Sequence, residues 1–343
     1  MAVAAMAVSV QAENFILIGN EHLDVTASYS NGYLYQFSTA NILTGGSISN
    51  DLNASNDSTV DISGGSISND LNASNDSTVK MSGGSIGIRL YAYDDSTVNM
   101  SGGSIGSHLF AYDDSTVNIS GGSIGSSLFA NDTSTVNMSG GTISRDLRAC
   151  NDSTVNMSDG SIGNLLNAHH DSTVNMSGGS IGIRLTAYDT STVDMSGGSI
   201  GSRLNAFEDS TVNMSGGSIG NLLAYNDSTV NISGGSISND LDVYHDSTVD
   251  ISGGSIGNLL AYNDSTVIFN GYDFGLIGGL SWDTDGQTIL GTGLITGTWF
   301  NNTSFMIPIT ENHSTATIMA IPEPATLLLF GLGGLVLRRR KRI

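Results

Sequence analysis

The sequence is poor in basic residues, with 11 Lys and Arg against 32 Asp and Glu. Five of the 11 lie at positions 338–342, and Glu323 is the only acid beyond residue 320. Residues 1–320 therefore hold six basic residues against 31 acidic ones, a net charge of about −25. A body this anionic repels phosphate backbones, which argues against nucleic acid as a partner.

Cysteine and proline are also scarce, with one cysteine and 3 prolines in 343 residues. The single Cys150 excludes an intramolecular disulfide framework and a zinc site built from cysteines. Only 13% of the residues are charged, which is not the composition of a coiled coil or of a typical enzyme. Stability must therefore come from packing and backbone pairing.

Glycine is abundant, with 44 residues, and marks an internal repeat that fills about two thirds of the chain. The unit reads Gly-Gly-Ser-Ile-x-x-x-Leu-x-Ala-x-x-Asp-Ser-Thr-Val-Asn-Met-Ser, and twelve copies follow in steps of 19, with one step of 18. Each copy contains two extended segments, such as Ile86 to Tyr93 and Ser96 to Ser101, with Gly-Gly at one corner and an acidic turn at the other. The apolar positions of one copy share the period-2 parity of strands with one buried face: Ile86, Leu90, Ala92, Val98 and Met100.

The repeat predicts an all-β fold, because short strands with one apolar face become stable only when copies stack and pair in parallel. We predict a right-handed, single-stranded parallel β-helix, or solenoid, of about 12 coils with a 19-residue period over residues 38–267. A propeller blade would need about 40 residues. A disordered tract would not repeat Val and Ile in every copy. Residues 13–37 and 268–320 lack the repeat and are predicted to form β-rich caps over the ends.

One candidate functional feature is a column of carboxylates before Ser-Thr-Val. Neighbouring members about 4.8 Å apart repel one another and need compensation. Either each accepts hydrogen bonds in its own turn, or the column binds Ca²⁺. The turn interpretation is favoured because the repeat lacks the third glycine and the Asp of calcium-binding β-rolls, so no metal site and no other cofactor are assigned. The column consists of Asp57, Asp76, Asp95, Asp114, Asp152, Asp171, Asp209, Asp227, Asp246 and Asp264.

A second candidate feature is a ladder of outward Thr and Asn. Opposite parity places Thr97, Asn99 and Ser101 outside, and the pattern recurs in the following copies. Such a ladder is most often structural, with hydroxyls and amides bonded along the stack. The alternatives are a face that binds ice or a glycan.

An enzyme on a solenoid needs a non-repeating cluster of acid, base and cation, usually walled by loop insertions. The array has no insertions, and no Ser-His-Asp, HExxH or phosphate-loop signature occurs. Arg145, Asp146, Arg148 and Cys150 form the one irregular patch. We therefore predict that the protein is not an enzyme. The basic residues of the body are scattered: Lys80, Arg89, Arg145, Arg148, Arg184 and Arg203.

Both ends of the sequence suggest export. Residues 1–12 contain a short apolar run and a small-residue cleavage site typical of a signal peptide. Near the other end, Pro322, Glu323 and Pro324 precede an uncharged run at 325–337, which as a helix would cross a membrane only if flanking residues joined it. A basic cluster follows, which would stay on the cytoplasmic side: Arg338, Arg339, Arg340, Lys341 and Arg342.

This order of Pro-Glu-Pro, short apolar helix and basic cluster resembles the PEP-CTERM sorting signal of Gram-negative bacteria. The resemblance implies that residues 321–343 are a sorting segment that holds the exported protein transiently in the inner membrane. It also implies an exosortase as partner, a membrane-embedded cysteine transpeptidase that cuts near Pro322, Glu323 and Pro324.

The combined prediction is a non-catalytic exported protein of the cell surface or the extracellular matrix, with a structural or adhesive role. Exopolysaccharide or surface glycans are its candidate partners. The alternative is a carbohydrate-binding or carbohydrate-active solenoid. Ice binding or calcium binding by a repeat face is a minor alternative.

Overall fold

A computed structural model of the protein describes residues 12–322. The predicted signal peptide, except for Ala12, and the predicted transmembrane helix at 325–337 lie outside these residues. Within them the chain is all-β and contains no helix, as predicted. The chain divides into two compact units, Met1–Leu185 and Thr186–Ile343, and each is a parallel β-solenoid with a period of about 19 residues.

Most coils of the first unit contain three short strands. In one coil these are Thr97–Met100, Ser104–Ile105 and His108–Ala111. We name the three outer surfaces after the residue types that mark these strands: the threonine face, the serine face and the leucine face. The strands alternate half-buried and buried residues, which places Val, Met, Ile, Leu and Ala inside.

In the first unit, the strands of the threonine face are His22–Val25, Thr39–Ile42, Thr59–Ile62, Thr78–Met81, Thr97–Met100, Thr116–Ile119, Thr135–Ile143, Thr154–Ile162 and Thr173–Met176, of which Thr135–Ile143 and Thr154–Ile162 continue onto the serine face. The other serine-face strands are Ser28–Tyr29, Ser47–Ile48, Ser66–Ile67, Ser85–Ile86, Ser104–Ile105, Ser123–Ile124 and Ser180–Ile181. The leucine-face strands are Phe15–Ile18, Gly32–Tyr35, Leu52–Ser55, Leu71–Ser74, Arg89–Ala92, His108–Ala111, Leu128–Ala130, Leu147–Ala149, Leu165–Ala168 and Arg184–Ala187, of which the last ends two residues into the second unit.

In the second unit, the threonine-face strands are Thr192–Met195, Thr211–Met214, Thr229–Ile232, Thr248–Ile251 and Thr266–Gly278. The serine and leucine faces are joined in single strands, Ser199–Phe207, Ser218–Tyr225, Ser236–Val243 and Ser255–Ala261. The C-terminal strands are Ser281–Trp282, Ile289–Leu290, Gly293–Trp299, Ser304–Asn312 and Thr317–Pro322.

Successive coils pair in parallel and in register, so that identical residues stack. Thr78 lies opposite Thr97, and Val79 lies opposite Val98. The inward columns are almost fully buried, with Val98 at 0% and Met100 at 1% exposure. The predicted parallel solenoid is therefore confirmed.

Residues 15–35, which fall within the predicted N-terminal cap, form strands in the same three columns. Phe15 lies opposite Gly32, and His22 lies opposite Thr39, both in parallel ladders. Phe15 also packs edge-on against Tyr29 at 5.1 Å between ring centroids. This coil brings the total to about 13 turns instead of the predicted 12.

The predicted second segment, Ile86 to Tyr93, is divided by a bend between the serine and leucine faces. In the second unit the same corner appears as a shift of register between Ile219 and Leu222. The 18-residue step falls at this corner: Ile219 pairs with Ile237, which is 18 residues further on, whereas Leu222 pairs with Leu241, which is 19 residues further on. A missing residue is therefore absorbed at this corner without displacing either apolar column.

From Gly84 onward, the second glycine of the Gly-Gly pairs has a positive φ, and packing also constrains it. Gly103 has φ +76°, and a Cβ there would lie 2.5 Å from Gly83 O and 2.7 Å from Met81 Cε. The Met side chain of one coil thus fills the space beneath the glycine of the next coil. Both requirements exclude a side chain at this position.

The C-terminal strands close the second unit. Gly293–Trp299 pairs antiparallel with both Thr266–Gly278 and Ser304–Asn312. Trp299 and Phe305 stack at 3.9 Å between centroids, and Trp299 Nε1 donates a hydrogen bond to Gly254 O at 3.2 Å. This aromatic cluster covers the last coil and shields its core from water.

Candidate functional site

The sorting segment begins where the folded body ends. Strand Thr317–Pro322 pairs in parallel with Thr266–Gly278, and the last pair joins Pro322 to Gly271. Ile318 and Ala320 are buried at 0% and 1% exposure, and Ala320 N donates to Gln287 O at 3.0 Å. The strand is therefore anchored up to the first residue of the motif. Glu323, Pro324 and the basic cluster at 338–342 lie outside the described residues.

The protein is thus a parallel β-solenoid whose last strand leads into a C-terminal sorting segment. Residues 320–342 match the protein-family model described as the PEP-CTERM protein-sorting motif. The match contains Pro322, Glu323, Pro324 and the basic cluster, which confirms the resemblance noted in the sequence. Searches of curated proteins and of solved structures gave no significant match.

The motif has two consequences for the protein's fate. It implies that the protein is exported and processed at a membrane, and that an exosortase recognises it. The described residues contain no helix that is long and apolar enough to cross a membrane.

The acidic corner is the turn that contains the Asp column, and all ten of its predicted members are exposed there. The backbone explains why Asn and Asp occupy this turn. Asn56 and Asp57 have φ of 54° and 61°, and Asp94 has φ of 53°. Asn and Asp adopt this left-handed conformation more readily than other non-glycine residues. In the latter coil Ser96 N donates to Tyr93 O at 3.2 Å and closes the turn.

Solvent exposure reduces the repulsion between carboxylates of neighbouring coils. Glu208 and Asp189 form one interacting pair, in which the side-chain hydrogen bond with Asp189 raises the pKa of Glu208. Among residues 12–322, no group of three or more His, Cys, Asp or Glu is arranged to hold a metal ion. Calcium binding at the column stays a prediction.

The threonine face of the first unit carries a directional amide ladder. Asn118 Nδ2 donates to Asn99 Oδ1 at 2.9 Å, and Asn137 Nδ2 donates to Asn118 Oδ1 at 2.9 Å. The series continues through Asn156 and Asn175 at 2.8 Å per step. Each amide donates to the preceding coil, so the ladder satisfies its own polar groups along the stack. Glycan or ice binding by this face stays a prediction.

The ladder is interrupted at Lys80, which lies between Asp61 and Asn99 in the register. A lysine side chain has no acceptor, so Asn99 Nδ2 finds no amide partner there. The interruption coincides with a shallow cleft of about 350 Å³ lined by Asp61, Lys80 and Asn99 among others. The cleft holds the only lysine outside the basic tail.

The irregular sequence patch is spread over a corner and the leucine face. Arg145 and Arg148 are exposed, and Asp146 Oδ1 accepts a hydrogen bond from Leu165 N at 3.2 Å. Cys150 is half-buried, and burial raises the pKa of its thiol. A raised pKa lowers the thiolate fraction and hence the reactivity of this cysteine.

Sequence reasoning missed the most irregular surface of the first unit. We call it the aromatic patch, and it lies on the leucine face and the adjoining corner. In three successive coils aromatic side chains replace the small polar residues that occupy the same columns in the two coils before them. The aromatic residues are visible in the sequence at the position after Leu and at the position after Ala. The repeat consensus does not show them, because both positions vary between copies. The aromatic patch consists of Tyr91, Tyr93, Phe110, Tyr112 and Phe129.

Proposed function

We propose that the protein is a non-catalytic structural component of the cell surface or extracellular matrix, released there after exosortase processing. The observation that carries the proposal is the junction at Pro322, where a complete β-stack passes directly into the sorting motif. The described residues form a body with its own buried core, so removal of the tail would leave that core in place.

The arrangement of polar groups supports a structural role. Outward side chains repeat in columns, and the amides of Asn99 to Asn175 bond to one another along the stack. Arg89 Nε lies 3.6 Å from Asp70 Oδ1 on an open face. Such spacing suits a surface that contacts other matrix components better than it suits an enclosed reaction site.

The test is the substitution Glu323→Ala in the producing bacterium, followed by fractionation. Loss of the motif carboxylate should block recognition, so we expect the variant to accumulate in the inner membrane and to disappear from the exterior. Glu311→Ala is the matched control, because Glu311 is an exposed glutamate of the folded body just before the motif. Export of the Glu323 variant at the wild-type level would refute processing at this motif.

A further inference from the structure

The aromatic patch is not required by the fold. Tyr91 pairs with Asn72 of the preceding coil and with Phe110 of the next. The coil that contains Asn72 forms the same three strands with the same buried columns. The coil forms with Asn at this position as well. Stacking of the coils therefore does not explain why three successive coils carry aromatic residues.

The rings form a continuous surface of two columns. Tyr91 and Phe110 stack at 5.0 Å between centroids, and Phe110 and Phe129 stack at 4.9 Å. In the second column Tyr93 and Tyr112 stack at 5.2 Å, with their rings 7° from parallel. All five rings are only half-buried. The result is an apolar strip several coils long on the outside of a strongly anionic protein.

Planar polar groups border the strip. Arg89 Nη1 donates a hydrogen bond to Tyr91 Oη at 2.7 Å, and Arg89 Nε lies 3.6 Å from Asp70 Oδ1. The His108 ring lies 5.8 Å from the Phe110 ring, and its Nδ1 is 2.6 Å from Ser107 Oγ. These contacts hold a guanidinium, a carboxylate and an imidazole in fixed positions beside the rings. Each can still bond a ligand hydroxyl, since all three remain partly exposed.

We propose that the aromatic patch binds a neutral polysaccharide chain. A pyranose ring presents apolar C–H groups on its faces and hydroxyls around its edge, which matches rings bordered by Arg89, Asp70 and His108. Charge selects the neutral class. The net charge of about −25 on residues 1–320 repels a polyanion, and the Arg89–Asp70 pair beside the rings adds no net charge of its own. The site would supply the matrix contact of the proposed function.

The experiment measures binding of the purified exported protein to a neutral set of polysaccharides, namely dextran, glucomannan, xylan and a mixed-linkage β-glucan, with alginate as the anionic comparison. The double variant Tyr91→Asn and Phe110→Asn introduces at both positions the residue type found at Asn53 and Asn72, in the two coils before the aromatic patch, so it should fold normally. Tyr225→Ser is the matched control, because Tyr225 lies in the column of Tyr93 and Tyr112 but has Leu223, and no aromatic ring, in the column after Leu. Ser55 and Ser74 show that the coil also forms with serine in this column. Circular dichroism of each variant verifies folding.

We expect binding to at least one neutral polymer, with little change between low and high salt. The double variant should lose at least about tenfold in affinity, while Tyr225→Ser keeps the wild-type value. Absence of neutral binding, binding of alginate alone, or full binding by the double variant would overturn the proposal. Concentration-dependent dimerisation that only the double variant loses would assign the patch to a second copy and overturn it equally. Because the protein is assayed after recovery from outside the cell, none of these results bears on export.

Discussion

At the scale of the residue, glycine conformation and coil packing can be separated experimentally. Gly103 combines a left-handed φ with a backbone oxygen 2.5 Å from where a Cβ would lie, whereas Gly45 has φ +88° with its nearest atom at 3.8 Å. Gly45→Ala should cost about 1–2 kcal/mol through backbone strain alone. Gly103→Ala should cost about 1–3 kcal/mol more, because the coil beneath must move. Urea unfolding of both variants measures the difference, and equal costs would show that the close approach is unimportant.

The carboxyl pair at Glu208 makes stability depend on pH. The hydrogen bond with Asp189 raises the pKa of Glu208, so its stabilising contribution is complete below the unfolded value of 4.5 and is lost as pH rises through the folded value. Glu208→Gln should therefore raise the melting temperature at pH 7 relative to wild type and lose this advantage near pH 4. Glu311→Gln serves as the control for an exposed glutamate. A gain of the same size at both pH values would argue against the shared proton.

At the scale of the element, the amide ladder can include a carboxylate side chain but not an ammonium side chain. Asn213 Nδ2 donates to Asp194 Oδ1 at 2.7 Å, so an acceptor-only carboxylate can form the first rung of a ladder. Lysine has the opposite property and interrupts the ladder at position 80.

Lys80→Asn should repair the threonine-face ladder by accepting a hydrogen bond from Asn99 and donating one to Asp61. A net gain of about 1 kcal/mol in unfolding free energy is expected from these two partly exposed hydrogen bonds. Lys80→Leu removes the charge without restoring an amide and should give no such gain. If both variants are stabilised equally in thermal denaturation, the effect belongs to the lost ammonium and the ladder explanation is wrong.

The columns of the solenoid were predictable because Val98, Ile105 and Leu109 recur with their neighbours at one period and one parity. The bend between Ile86 and Arg89 was not predictable. Ile86 and Leu90 are both buried and four residues apart, so the alternation of apolar and polar residues continues unchanged through the bend. Residues 15–35 escaped recognition as a coil because Phe15, Leu17 and Val25 fill the core without Gly-Gly or Ser-Thr-Val. The aromatic patch was missed because its residues occupy positions that vary between copies and that the repeat consensus leaves unspecified.

At the scale of the whole molecule, charge and sorting act together. Five of the 11 basic residues lie in the segment that the motif marks for removal, so loss of 325–343 would leave six basic residues against 32 acidic ones. We expect the like charges of such a product to oppose its self-association.

The central claim is that the sorting motif is used and the tail is removed. The most direct test is the intact mass of the protein recovered from outside the cell. The account predicts a chain that ends close to Pro322, Glu323 and Pro324 and lacks Ala325 to Ile343. A molecule outside the cell that still carries the arginine-rich tail would contradict it.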